Sequence, residues 1–300
     1  MKVLVTGGTG FIGSHLVDAL RRRGDEVKTL GRYHGDSTAD YRADVRDRAA
    51  LEEIKFDFEP ELVYHLAAFH HVGRSWEAME TCYSTNVLGS VNVMEVFGRP
   101  DERTGSAKVV YMSSSEVYGD QDSVPWQEDM LPRPRSPYAV SKLAGEHHAR
   151  MLHDADSPVM IVRGFNVYGP GQSMGALIGE LVRGALRGEI HTTPGRQTRD
   201  WVYVNDMVEA LLLAGQRIWS GPVNIGTGRD ISVREVSEMI VEAVGAPVKV
   251  CRDLDARVNE IWRMQASTER ARQVLEWEAT TSLAEGIERT IEWHRKRREK

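Results

Sequence analysis

Eight residues, TGGTGFIG at 6–13, constrain this chain more than any other stretch. They follow a short β-branched run, KVLVTG, and lead into FIGSHLVDALRRRG. In the latter, Ile12, Leu16, Val17 and Leu20 share one helical face and Gly24 is the stop. Gly7, Gly10 and Gly13 thus stand in GxxGxxG spacing between a strand and a helix. Glycine permits the tight turn and lets the backbone approach a pyrophosphate. The helix N-terminus offers that anion unpaired N–H groups and a partial positive charge. A plain strand–helix turn needs no three glycines.

The rest of the first half alternates in the same way. EVKTLG, ELVYHLAA, AKVVYMSS and SPVMIVRGFNVYG read as strands. LEEIKFDF, the long stretch SWEAMETCYSTNVLGSVNVMEVFG and PYAVSKLAGEHHARMLHD read as helices. Such alternation predicts an α/β fold with a Rossmann-type, doubly wound parallel sheet. After about residue 165 the rhythm loosens, with helices at ALIGELVRGALRG, DMVEALLLAGQR and VREVSEMIVEAVG and strands at DWVYV and VNIGTG. We therefore expect a dinucleotide-binding domain over 1–165 and a smaller α/β substrate-binding lobe over 166–300. With no Pro/Ser-rich linker between them, segments are expected to cross from one to the other.

Bulk properties exclude several classes. The 300 residues carry a formal net charge of −6, so no global basic field points to nucleic acid. The basic HRKRREK end reads as a solvated tail. No apolar run approaches the roughly 18–20 residues that span a bilayer, and the chain starts directly on a strand, without a signal-peptide pattern. Cys82 and Cys251 lie in unrelated contexts and make no metal or redox motif, which fits a reducing cytoplasm. The adjacent pairs His70-His71 and His147-His148 cannot both face one point, so no metal site is expected.

Two further stretches carry chemistry. In SPYAVSK, residues 136–142, Tyr138 and Lys142 sit four residues apart on a helix opened by Ser136 and Pro137. A phenol is a poor base at neutral pH, and a fixed ammonium beside it favours the phenolate. The pair reads either as a surface stack or as an acid–base catalyst. In YMSSSEVYG, residues 111–119, a strand ends in hydroxyls and an acid, and strand C-termini are where ligands bind in such sheets.

The second strand should select the adenosine ribose. Where an acid would accept the ribose 2′-hydroxyl of NAD, this chain has Gly31, followed by Arg32, whose fork suits a 2′-phosphate. NADP is therefore favoured over NAD, with stacking on adenine or exposure to solvent as the alternatives for Arg32. Asp44, in ADVRD, is spaced to end the next strand near the adenine.

Together these stretches, with HLAA at 65–68, TNVLGS at 85–90, FNVYGPGQ at 165–172 and RDWVYVND at 199–206, resemble the extended short-chain dehydrogenases that act on nucleotide sugars. The resemblance covers essentially the whole chain. It implies Tyr138 as general acid/base at a sugar hydroxyl. Lys142 would lower the phenol's pKa and bind the nicotinamide ribose, and Ser114 would share the proton on the sugar oxygen. It implies cofactor contacts at Gly7, Gly10, Phe11, Ile12, Gly13, Arg32, Asp44, Val45, Leu66, Ala67, Ala68 and Asn86. Ser115 is implied on the substrate side, Asn166, Arg199 and Arg257 at the nucleotide diphosphate, and Glu260 at the nucleotide ribose. Relatives dimerise through helices at about 75–97 and 138–153, which implies a homodimer.

The reaction is less constrained. Every family outcome begins or ends with a ketone at carbon 4. RSPYAVSKLAGE resembles epimerases and favours that reading. GPGQSMG with Arg32 resembles reductases of nucleotide 4-keto sugars, and Ser115-Glu116 with HHVGRS resembles dehydratases and decarboxylases in which an acid at Glu116 is a base. A cofactor-sensing protein with idle chemistry is the non-enzyme alternative, although a sensor has no need of Ser114, Tyr138 and Lys142 together.

Overall fold

The computed structural model describes residues 1–32, 38–154, 157, 159–172, 175–255 and 259–298. Its strands are β1 (Lys2–Thr6), β2 (Glu26–Gly31), β3 (Tyr41–Arg42), β4 (Leu62–His65), β5 (Lys108–Ser114), β6 (Val159–Gly164), β7 (Asn166–Tyr168), β8 (Glu189–His191), β9 (Thr198–Tyr203), β10 (Pro222–Ile225), β11 (Asp230–Ser232) and β12 (Lys249–Cys251). The helices are α1 (Phe11–Arg23), α2 (Arg48–Phe58), α3 (Met79–Tyr83), α4 (Gly89–Val93), α5 (Pro137–Asp154), α6 (Leu177–Arg187), α7 (Val204–Gln216), α8 (Val233–Val244), α9 (Glu269–Leu275) and α10 (Leu283–Arg298).

Seven strands form one sheet in the order β10-β6-β5-β4-β1-β2-β3, parallel throughout. The strand order reverses between β1 and β4, and the glycine loop lies at that switch point, where ligands bind in such sheets. Every residue of β4 and β6 is buried, as a sheet covered by helices on both faces requires. Leu16 and Leu20 of α1 pack with Met207 and Leu211 of α7 over one face. Leu51 and Phe58 of α2, Phe97, and Leu152 of α5 cover the other. Each boundary has a local cause: Gly24 ends α1 in the left-handed region (φ 90°), and the Ser136 Oγ accepts a 3.1 Å bond from Ala139 N to open α5. Between residues 79 and 98 the helical run alternates α turns with wider π turns.

The second lobe holds the sheet β11-β9-β7 and the ribbon β12-β8, packed by α6, α8 and α10 around Ile178, Val182, Trp201, Val236 and Ile291. A capping box starts α8: Glu235 N donates to Ser232 Oγ (3.1 Å) and Ser232 N to Glu235 Oε2 (2.9 Å).

The stretch SPVMIVRGFNVYG, read as one strand, is two. Phe165 N makes the last bond to the large sheet, donating to Ile225 O at 3.0 Å, and from Asn166 the chain pairs instead with Trp201 in the small sheet. Residue 165 is therefore where the chain changes sheets. The halves interleave, because β10 returns from the second half to pair with β6, and α7 packs on the large sheet. Strands of two or three residues (β3, β8, β11, β12) and the short helix α9 carry no sequence signal strong enough to read, whereas α10, with Leu283, Ile287 and Ile291 four apart behind Ser282, adds a helix to those expected. No helix among the described residues is long and apolar enough to cross a membrane.

Candidate active site

The carboxyl ends of β1, β2, β4, β5 and β6 open into a cleft of about 530 Å³. Its glycine wall is a cradle that side chains would fill. Gly7 takes φ +72°, and a Cβ there would lie 2.8 Å from Ala67 N; a Cβ on Gly13 would lie 2.1 Å from Gly7 O. Gly10 N donates to Gly7 O (2.9 Å), and Gly10 caps α1 without any side-chain bond, so the first turn of α1 meets the cleft as bare backbone. Gly7, Gly10, Phe11, Ile12 and Gly13 all line it. These features fit a pyrophosphate.

Arg32, Val45, Leu66, Ala67 and Ala68 also line this cleft, as does Gly31. Asp44 is not among its lining residues: its carboxylate takes Arg46 Nε (2.9 Å) and Nη2 (2.8 Å). Arg46 above all, with Arg32 as a further charge, holds Asp44 below the usual carboxylate range. Asn86 sits behind the wall, fully buried. Its Oδ1 accepts from Phe69 N (2.7 Å) and its Nδ2 donates to Phe69 O (2.9 Å) and Ser141 Oγ (2.9 Å). It shapes the loop after β4 rather than facing the cleft. That loop is fixed from the other side by Thr6 Oγ1, which takes Ala67 N (3.2 Å) and pairs with His65 Nδ1 (2.7 Å), while His65 Nε2 meets Ser90 Oγ (2.9 Å). Burial drives His65 down to about 3, so it is neutral.

At the end of β5 and the start of α5 the chemistry-bearing side chains meet. Ser113, Ser114, Ser115, Glu116, Tyr138 and Lys142 all line the cleft. Tyr138 and Lys142 are nearly inaccessible. The phenol and the ammonium each answer first to burial. Burial pushes Tyr138 up to about 12, opposed by a hydrogen bond with Ser114 and reinforced by the Glu116 carboxylate. The Lys142 Nζ donates instead to Met112 O at 2.8 Å and lies over the Tyr111 ring, and burial pushes it down to about 8.

Behind them lies a network with no counterpart in the sequence reading. Arg163 donates to Glu146 twice, Nε to Oε1 at 2.9 Å and Nη2 to Oε2 at 2.6 Å, with both side chains inaccessible. Glu146 Oε1 also accepts from Ser113 Oγ (2.5 Å), so α5 is tied to the carboxyl end of β5. Arg163 lies over the Tyr118 ring, whose hydroxyl donates to Asn224 Oδ1 (2.7 Å) on β10.

A second cavity, about 370 Å³, adjoins the first in the small lobe, and Glu116 and Asn166 border both. Arg199 and Glu260 line it and are joined to each other: Nη2 donates to Oε1 at 2.5 Å, and Nη1 to Ile261 O at 2.8 Å. Arg257 lies outside the described residues. Four buried polar atoms along the two cavities have no partner among the described residues: Thr85 Oγ1, Thr192 Oγ1, and one end of each carboxamide of Asn166 and Gln172. Buried polar atoms are nearly always paired, so these mark where a polar ligand would bond. Of the four, only Asn166 stood out in the sequence; Gln172 ends the FNVYGPGQ motif, and Thr85 and Thr192 carry no signal.

The NAD dependent epimerase/dehydratase family matches over residues 3–226. A UDP-glucose 4-epimerase of Mycolicibacterium smegmatis is 37% identical over 98% of this chain and 99% of its own. The structure of a UDP-glucose 4-epimerase with UDP-glucose from Thermotoga maritima superimposes with a TM-score of 0.91 at 31% identity, covering 99% of both chains. That of MoeE5 in complex with UDP-glucose and NAD gives 0.87 at 36% identity, again over 99% of both.

Proposed function

The chain belongs to the NAD dependent epimerase/dehydratase family, and we propose that it is a nucleotide-sugar 4-epimerase. The observation that carries this reading is the junction of two cavities at Glu116 and Asn166, with Ser114 and Tyr138 on the first cavity's side of it. The first is built for a dinucleotide. The second has the size and polarity for a nucleotide diphosphate sugar whose carbon 4 would lie at the junction.

In this reading the nicotinamide, when bound, supplies a hydride acceptor and donor and, in its oxidised form, a positive charge that favours the phenolate. Tyr138 takes the proton from the carbon-4 hydroxyl and returns it after the keto sugar has turned over. Ser114, already bonded to the phenol, holds the sugar oxygen. Lys142 holds the nicotinamide ribose. Arg199 and Arg257 meet the diphosphate, and Glu260 then leaves Arg199 for the nucleotide ribose. Remote binding energy of this kind fixes the reacting carbon.

The test is to incubate purified protein with UDP-glucose, without added nucleotide, and follow the sugar by NMR. Conversion to the 4-epimer supports the proposal. A 4-keto product would replace it by the dehydratase or decarboxylase reading, for which Glu116 at the junction is the supporting observation. Turnover only of a keto sugar with reduced cofactor would replace it by a reductase. The finer cofactor assignment, NADP over NAD, rests on Gly31 and Arg32 at the cleft. A homodimer is proposed through the face carrying exposed Trp76, Met79, Leu88, Val140 and Met151, in a cytoplasmic setting that keeps both cysteines free.

A further inference from the structure

The ribbon β8–β12 brings together residues that lie 60 positions apart in the chain. Its strands run parallel, with Lys249 opposite Glu189 and Cys251 opposite His191. Alternate residues of a strand share a face, and on one face a Glu189 oxygen, a His191 ring nitrogen and the Cys251 Sγ all lie within 4.8 Å of one another. Glu189 Oε1 is 3.4 Å from Cys251 Sγ and 3.8 Å from His191 Nε2. Neighbouring donors around a tetrahedral zinc-sized ion, with bonds of roughly 2.0–2.3 Å, are separated by about 3.3–3.8 Å. On its other side His191 Nδ1 is 2.9 Å from Asp253 Oδ2. That carboxylate fixes the proton on Nδ1 and turns the Nε2 lone pair toward Glu189 and Cys251, the outer-shell arrangement of metal-bound histidines.

We propose that Glu189, His191 and Cys251 form a site for one divalent transition-metal ion of the zinc type, with Asp253 orienting His191 and the fourth position open to water. Thiolate, imidazole and carboxylate together select such an ion over calcium or magnesium. The Lys249 Nζ, 2.7 Å from Glu189 Oε1, is the competing cation that the metal displaces. Beyond the site the two segments continue to pair: Thr192 N donates to Cys251 O (2.9 Å) and Leu254 N to Thr192 O (3.2 Å). Thr192 and Leu254 both line the second cavity, so the ion would pin together two segments of its rim. The sequence hid this site because the two cysteines seemed unrelated; only the β8–β12 pairing supplies the neighbours of Cys251.

The test is a cobalt(II) titration of full-length, chelator-stripped protein, read in the near-ultraviolet thiolate-to-cobalt band. We expect the band to saturate at one equivalent, to vanish in Cys251→Ser and to persist in Cys82→Ala. Asp253→Asn should weaken binding about 10-fold or more, and Lys249→Met should tighten it several-fold. Absence of the band in the unaltered protein, its survival at unchanged affinity in His191→Ala, or no tightening in Lys249→Met would each overturn the proposal. None of these readouts depends on sugar turnover.

Discussion

Arg163 grips Glu146 through two hydrogen bonds, at 2.9 and 2.6 Å, in a region where neither side chain meets solvent, and the same carboxylate takes the Ser113 hydroxyl. The pair joins α5, the helix that carries Tyr138 and Lys142, to β6, and the Ser113 bond extends the tie to β5, the strand that carries Ser114. Removing one partner strands the other charge, at a cost of about 3–5 kcal/mol. Glu146→Gln and Arg163→Met should each lower the urea midpoint strongly. The double replacement Glu146→Gln with Arg163→Met should cost less than the two singles summed. Equal additivity of the two would show that the groups are not coupled.

Tyr138 and Glu116 are coupled through charge. Glu116 helps hold the phenol high, toward about 12, so Glu116→Gln should let it ionise more readily. The acidic limb of the kcat/KM profile should then move to lower pH, with epimerisation retained. Tyr138→Phe should cost about 10²–10⁴-fold in kcat, the range for a lost general acid/base. A limb that stays fixed in Glu116→Gln would separate the two groups electrostatically.

Lys142 gives a stability prediction for nucleotide-free protein. Its folded pKa, about 8, lies below the ordinary 10.5, so between those values the unfolded chain binds more protons. Its contribution to stability is therefore present above that window and lost as pH falls through about 8. Lys142→Met should be more stable than the unaltered protein at pH 7, by roughly 1–3 kcal/mol. The advantage should shrink as the pH approaches 10. Urea unfolding at both pH values measures this, and a difference that does not change with pH would count against it.

At the glycine cradle, Gly13→Ala would press a methyl to within 2.1 Å of Gly7 O. We expect the unaltered protein to be purified with nucleotide bound and the variant without it. The mass of the released nucleotide answers a second question: a 2′-phosphate supports the Arg32 reading, and NAD removes it.

The parallel sheet, the glycine cradle and the tyrosine–lysine pair were legible because each is written locally, in spacing along one strand–turn–helix unit. What was not legible is written across the chain. Asn86 stands in a motif, but its work is to hold Phe69 and Ser141, which only the packing of the loop after β4 reveals. The partnership of Arg199 with Glu260 spans 61 positions. Spacing placed Lys142 beside Tyr138, yet it could not show that burial dominates the phenol or that Met112 O holds the ammonium. The two-residue and three-residue strands fall below any periodicity that sequence can display.

The exchange of sheets at Phe165 has a consequence for how this enzyme can be divided. A fragment ending at residue 165 would leave β6 without its neighbour β10, exposing a raw strand edge of the kind that recruits other chains. The complementary fragment would carry β10 and α7 with nothing to dock on. The two lobes are thus not modules joined by a tether. They are one woven object, and any closure around a substrate must flex several crossings, those at 165–166, 203–204 and 225–226 among them, rather than swing on a free linker.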